Sequence, residues 1–108
     1  MPLHVRTKGI TLSEANKNHI ESIVETFKKF NLELTKIYVN IAKEKNNIHV
    51  EIEVDVAKAS AVVINQSDEK LEVALDIAAQ RVEKALRRLH DKLVSPAHKS
   101  IKDLEVEE

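Results

Sequence analysis

The chain has 108 residues, enough for one domain, and its 43% apolar and 32% charged content allows both a buried core and a solvated surface. It contains no cysteine, which excludes disulfides and thiolate zinc sites, and its only aromatic residues are Phe27, Phe30 and Tyr38, too few for a base-stacking platform. The net charge of −1 hides an uneven distribution: seven basic residues face two acidic ones between Arg81 and Lys102, whereas the last eight residues hold four acids against one lysine.

Residues 1–9 (MPLHVRTKG) lack an apolar signal core, and no run approaches membrane-spanning length. The expectation is a cytoplasmic protein with no membrane partner. Residues 3–7 alternate apolar and polar and predict a short strand, punctuated by Gly9, the only glycine. Ser13 is a candidate helix N-cap, with Thr11 and Glu14 as a competing capping box. Behind it Ala15, His19 or Ile20, Ile23, Val24, Phe27 and Phe30 recur at helical spacing, and Asn31 suits the C-terminal cap.

Period two then replaces the helical period. Ile37, Val39 and Ile41 alternate with Tyr38, Asn40 and Ala42, and residues 43–47 (KEKNN) form a polar turn. Ile48, Val50, Ile52, Val54 and Val56 alternate with His49, Glu51, Glu53 and Asp55, the cleanest strand signal in the chain. Residues 58–60 predict a turn without Gly or Pro, and residues 61–65 (AVVIN) a further strand. Ser67 or Asp68 can cap a long last helix over residues 69–93, which Pro96 follows. The predicted class is α+β in the order β-α-β-β-β-α: a four-stranded sheet with two helices on one face and a solvated, acidic opposite face. The domain is assigned to residues 1–94 and a mobile acidic tail to residues 95–108.

In the last helix Leu71, Ala78, Val82, Leu86, Leu89 and Leu93 form an apolar stripe at about 100° per residue. Lys70, Arg81, Lys84, Arg88 and Lys92 fall on one flank, and Glu72, Asp76 and Glu83 fall on the other beside Arg87. Segregated cations make a line of positive potential that a polyanion can use, although a solvated amphipathic helix can carry such a cluster by chance. Little else suggests chemistry. His4, His19, His49, His90 and His98 lack metal-ligand spacing, one glycine leaves no phosphate-cradling loop, and no serine sits in a nucleophile elbow. The reading is a binding protein, with no enzyme activity and no cofactor. The α-β-β-β-α portion has the order of a double-stranded-RNA-binding module, which reads phosphate and ribose by shape. Lys8, Lys17, Lys43 and Lys45 can add to the helix flank.

The residues also resemble a known family, the short-form ribosome hibernation promoting factors, or ribosome-associated inhibitors, of the sigma-54 modulation type. The resemblance spans residues 3–93. Residues 7–15 (TKGITLSEA) look like the family's first strand end and capped helix start, and Lys17 falls where the family often has Arg. Ile41-Ala42-Lys43-Glu44-Lys45 is similar to its second strand end. Residues 69–76 (EKLEVALD) resemble the segment commonly written E-D-M-Y-x-A-I-D, with Lys70 and Glu72 in place of its Asp and Tyr. Arg81, Val82, Glu83 and Lys84 fall on the D-K-L-E-R stretch, which Arg87, Arg88, His90 and Lys92 continue. The usual glycine turn before the fourth strand is absent.

The resemblance implies the β-α-β-β-β-α fold and binding to the small ribosomal subunit in the channel used by messenger RNA and the A- and P-site transfer RNAs, which silences translation in resting or stressed cells. It implies ribosomal-RNA contacts at Lys8, Lys17, Lys43, Lys45, Arg81, Lys84, Arg87, Arg88 and Lys92, no small-molecule substrate, and a monomer away from the ribosome. The short form is expected, without the second domain that pairs ribosomes in long forms, and the acidic tail looks like that of the subtype that keeps single ribosomes idle. Two other readings compete: a protein-interaction module using the acidic sheet face or the tail, and a binder of free RNA duplex.

Overall fold

The computed structural model describes residues 2–94; the acidic tail expected over 95–108 lies outside the described residues. Strand alternation sets the architecture. Ile37, Val39 and Ile41 of β2 (Leu34–Glu44) and Val50, Ile52, Val54 and Val56 of β3 (Asn47–Val56) are all at most 5% exposed, so one face of the sheet is dry. With β1 (Leu3–Lys8) and β4 (Val62–Asp68) these strands form a sheet in the order β1-β2-β3-β4. β1 pairs with β2 in parallel, and β2–β3 and β3–β4 are antiparallel. A parallel neighbour needs a crossover, and α1 (Glu14–Phe27) supplies it. α2 (Leu71–Val94) follows β4, and both helices cover the dry face. The order and class are those expected from the sequence.

α1 starts where its backbone donors find acceptors. Ser13 Oγ accepts from the Asn16 amide at 3.1 Å, and Asn16 Oδ1 accepts from the Ser13 amide at 3.2 Å, so the capping box uses this pair and not Thr11 with Glu14. Ile20, Ile23, Val24 and Phe27 are its buried stripe. A turn of 3₁₀ helix (Lys28–Phe30) ends at Asn31, which takes φ 56°, a left-handed conformation its short polar side chain tolerates.

α2 begins at Leu71, with Asp68 Oδ2 accepting from the Lys70 amide at 2.9 Å. Ser67, the other candidate cap, instead bonds His49 Nδ1 at 2.9 Å. The buried stripe is wider than the expected one, because α2 packs on α1 as well as on the sheet: Ala74, Leu75 and Ala79 are buried alongside Leu71, Ala78, Val82 and Leu86. Leu93, expected in the core, is 48% exposed, and Leu89 is half-buried. Twenty-four helical residues rise about 36 Å, whereas the seven residues of β4 span about 23 Å. The last turns of α2 therefore overhang the strand.

The turns are tighter than the sequence suggests. Only Lys45 and Asn46 separate β2 from β3, with Lys45 at φ 47°. Lys58, at φ 64°, adopts the backbone that a glycine would take before β4. The open face of the sheet is bipolar where an acidic one was expected. β3 presents Glu51, Glu53 and Asp55 there, but the register places His4, Arg6 and Lys8 of β1 on the same face, opposite Tyr38, Asn40 and Ala42.

Candidate nucleic-acid interface

Helical rotation brings Arg81, Lys84, Arg88 and Lys92 to one side of α2, and all four are exposed. This side lies against the edge strand β4, where Arg81 Nη1 donates to the Asn65 carbonyl at 2.7 Å and to Gln66 Oε1 at 3.0 Å. Arg81 is thus partly committed within the fold, and its Nε and Nη2 make no hydrogen bond among the described residues. Lys84, Arg88 and Lys92 form no ion pair or hydrogen bond among the described residues. They stand four residues apart, about 6 Å of rise per step. Like charges at that spacing cost a helix about 0.2–0.5 kcal/mol per pair. A flank of this kind works against helix stability and suits an anionic ligand.

The opposite flank serves packing. Glu83 is half-buried; its Oε2 lies 2.9 Å from Thr26 Oγ1, whose single proton is contested by the Ile23 carbonyl at 2.6 Å, and its Oε1 lies 3.6 Å from Lys29 Nζ. Asp76 pairs with His19 Nε2 at 2.7 Å. Arg87 belongs to this side as well, its guanidinium 5.8 Å from the Phe30 ring centre, with Lys29 5.5 Å from the same ring. Cation–π contact and the α1–α2 seam account for Arg87, which stands apart from the four cations facing β4.

The remaining candidates gather at the other edge and the hairpin end, but not on one face. Lys8 pairs with Ala42 in register and lies on the open face. Lys43 has the opposite parity, toward the helices, and a Cβ at Gly9 would stand 3.6 Å from the Lys43 Cβ. Lys45 occupies the hairpin turn, and Lys17 lines a cleft of about 530 Å³ between α1 and β1 with Thr7 and Thr11. The nine candidates therefore form a linear helix flank, a split group around the end of β1 and the hairpin, and an isolated Arg87.

Two cations outside the nine join these groups. Lys58 lines a groove of about 540 Å³ together with Arg88 and Lys92. Arg6 lies beside Lys8 on the open face. Period-two alternation through residues 3–8 was the available signal for Arg6; Lys58 had none, because nothing local shows that a turn will return it to a helix thirty residues later. Among the described residues no three His, Asp or Glu side chains converge to hold a metal ion, and no helix is long and apolar enough to cross a membrane.

A family model described as Sigma 54 modulation protein / S30EA ribosomal protein matches residues 3–94. The chain belongs to that family. The resemblance carried by residues 7–15 and by the last helix pointed to the same group. The fold is similar to that in the crystal structure of Thermus thermophilus Protein Y N-terminal domain, with a TM-score of 0.73 and 21% identity over 82% of this chain and 99% of that one. It is also similar to a ribosomal subunit interface protein from Coxiella burnetii, with a TM-score of 0.75 and 16% identity over 82% of this chain and 97% of that one. At these identities the two structures establish the shared fold. No curated protein matches the chain. The family's description and that of the Coxiella burnetii protein both name the ribosome.

Proposed function

We propose that this protein is a ribosome hibernation factor that binds ribosomal RNA of the small subunit and inhibits translation by occupying the channel for messenger and transfer RNA. The observation that carries the reading is the exposed row Lys84, Arg88 and Lys92 beside Arg81, which makes no ion pair among the described residues, on a chain whose family model covers residues 3–94. Binding would rest on phosphate neutralisation, and inhibition on steric occupancy, with no catalytic step, cofactor or small-molecule substrate. Lys8, Lys17, Lys43 and Lys45 would touch RNA at the hairpin end and Arg87 at the seam, as secondary contacts. Residues 1–94 would act as the binding domain, as a monomer away from the ribosome and in the cytoplasm, where ribosomes work.

Co-sedimentation with vacant ribosomes and isolated small subunits tests this. Saturable binding near one copy per subunit that is lost at high salt supports the reading. The charge-reversed pair Lys84→Glu/Arg88→Glu should abolish it. Arg81 is a poor choice for reversal, because its bonds to Asn65 and Gln66 mix folding into the result. Wild-type binding by the Lys84→Glu/Arg88→Glu protein would refute the assignment.

A further inference from the structure

The groove between α2 and the β3–β4 turn has a composition that RNA binding leaves unused. Ala85, Leu89 and Leu93 of α2 meet Ala59, Ala61 and Val62 across it, while Lys58, Arg88 and Lys92 also line it. A phosphate backbone has use for the three cations and none for the apolar floor. Leu93 is 48% exposed there, a large apolar side chain on a charged surface. What fits is an extended peptide that presents apolar side chains to the floor and carboxylates to the rim.

The chain carries such a segment of its own. Residues 103–108 read Asp103-Leu104-Glu105-Val106-Glu107-Glu108. In an extended chain Leu104 and Val106 project to one side and Asp103, Glu105 and Glu107 to the other. The groove runs along α2 from Ala85 to Leu93, about 12 Å of helix rise, which accommodates three or four extended residues at about 3.3 Å each. It lies at the end of α2 from which the chain departs. Residues 95–103 can span about 30 Å, so reach is no obstacle, and a short tether holds the segment at an effective concentration in the millimolar range.

We infer that the acidic C-terminal segment docks in cis into this groove, with Leu104 and Val106 on the apolar floor and its carboxylates against Lys58, Arg88 and Lys92, and so competes with RNA for one end of the cationic flank. The regulatory part of this inference rests on the proposed RNA-binding role of that flank; the docking itself does not. The apparent RNA affinity falls by the fraction of molecules left undocked: about twofold if half are docked and about tenfold if nine in ten are.

Amide NMR spectra of three full-length proteins test it: the wild type, Leu104→Ser/Val106→Ser, and the charge-neutralised Asp103→Asn/Glu105→Gln/Glu107→Gln/Glu108→Gln. Docking predicts that both variants shift the amides of Ala59, Ala61, Arg88, Leu89 and Lys92 in the same direction at low salt, independently of protein concentration. High salt should move the wild type toward the variants. Coincident spectra of all three proteins at these amides would overturn the inference. Shifts that grow with protein concentration would overturn it as well, by assigning the contact to a second copy. The same proteins are then assayed on small subunits, where both variants should bind about two- to tenfold more tightly than the wild type. Groove shifts without any ribosome binding would leave docking intact and count against the RNA reading alone.

Discussion

Replacing Lys84, Arg88 and Lys92 together by alanine isolates the electrostatic part of binding. The three ammonium and guanidinium groups are exposed and make no ion pair among the described residues, so their removal leaves the fold intact and slightly relieves like-charge repulsion along α2. Each phosphate contact contributes about 0.7–0.9 to the slope of log affinity against log salt. Three lost contacts lower that slope by about 2.1–2.7. Over a fourfold rise in salt, from about 50 to about 200 mM, the wild type should therefore lose about 20- to 40-fold more affinity than the variant. Equilibrium binding of fluorescently labelled protein to purified small subunits across a salt series measures this directly. Lys28→Ala removes an exposed cation that pairs with Glu25 on α1, at 2.9 Å, and serves as the control. If the triple variant keeps the wild-type slope, or if Lys28→Ala lowers it as much, the flank of α2 is not the phosphate-binding surface.

Four further outcomes test the fold. Phe27 is fully buried between α1 and the sheet, and Phe27→Ala should cost about 3–5 kcal/mol in urea unfolding, a large share of the about 5–15 kcal/mol that holds a domain together. Thr26→Val removes the hydroxyl that lies between the Ile23 carbonyl and Glu83 Oε2 and should cost about 1 kcal/mol by the same measurement, because both acceptors share its one proton. Gly9 sits at φ 75° with room for a methyl group beside Lys43, so Gly9→Ala should cost about 1 kcal/mol for backbone reasons alone. The Glu53 carboxyl is held above its ordinary value of 4.5 by a hydrogen bond with Asp55, then by partial burial, then by the charges of Asp55 and Glu51. The folded protein thus binds this proton more tightly than the unfolded chain, so the contribution is present below pH 4.5 and is lost as pH rises through the raised value. The difference in stability between wild type and Glu53→Gln, followed by denaturation across that window, should fall as pH rises, and a constant difference would refute the raised value.

What the sequence reveals depends on how local the cause is. The alternation from Ile48 to Val56 is complete within one strand, and the structure buries its apolar members without exception apart from half-buried Ile48 at the strand start. The stripe of α2 was legible as a helix but not in its width, because Ala74 and Ala79 are buried through the pairing of α2 with α1, which no local period encodes. Leu93 fits the period yet lies beyond the sheet, since period says nothing about where the partner surface ends. The choice of Asn16 as the partner of Ser13 follows from spacing that Thr11 and Glu14 satisfy equally well. The candidate site divides in the same way. Four cations on one helix flank follow from rotation per residue alone. The separation of Lys8 from Lys43 needs the register of β1 on β2, and the position of Lys58 beside Arg88 needs the whole β3–β4 excursion.

The parallel pairing of β1 with β2 gives the sheet two classes of strand. β2, β3 and β4 are joined by short reversals, so their contacts close small loops, whereas β1 meets β2 only after the intervening helix has formed and returned. β1 is also an edge strand whose Val5 is 39% exposed. Its attachment depends on the one non-local pairing of the sheet, so the amides of β1 should exchange through partial opening, and those at the centre of β3 only when the whole domain unfolds. Lys8 lies at the end of that strand, so its position relative to Lys43 and Lys45 would depend on β1 staying paired, whereas the cations of α2 share one helix.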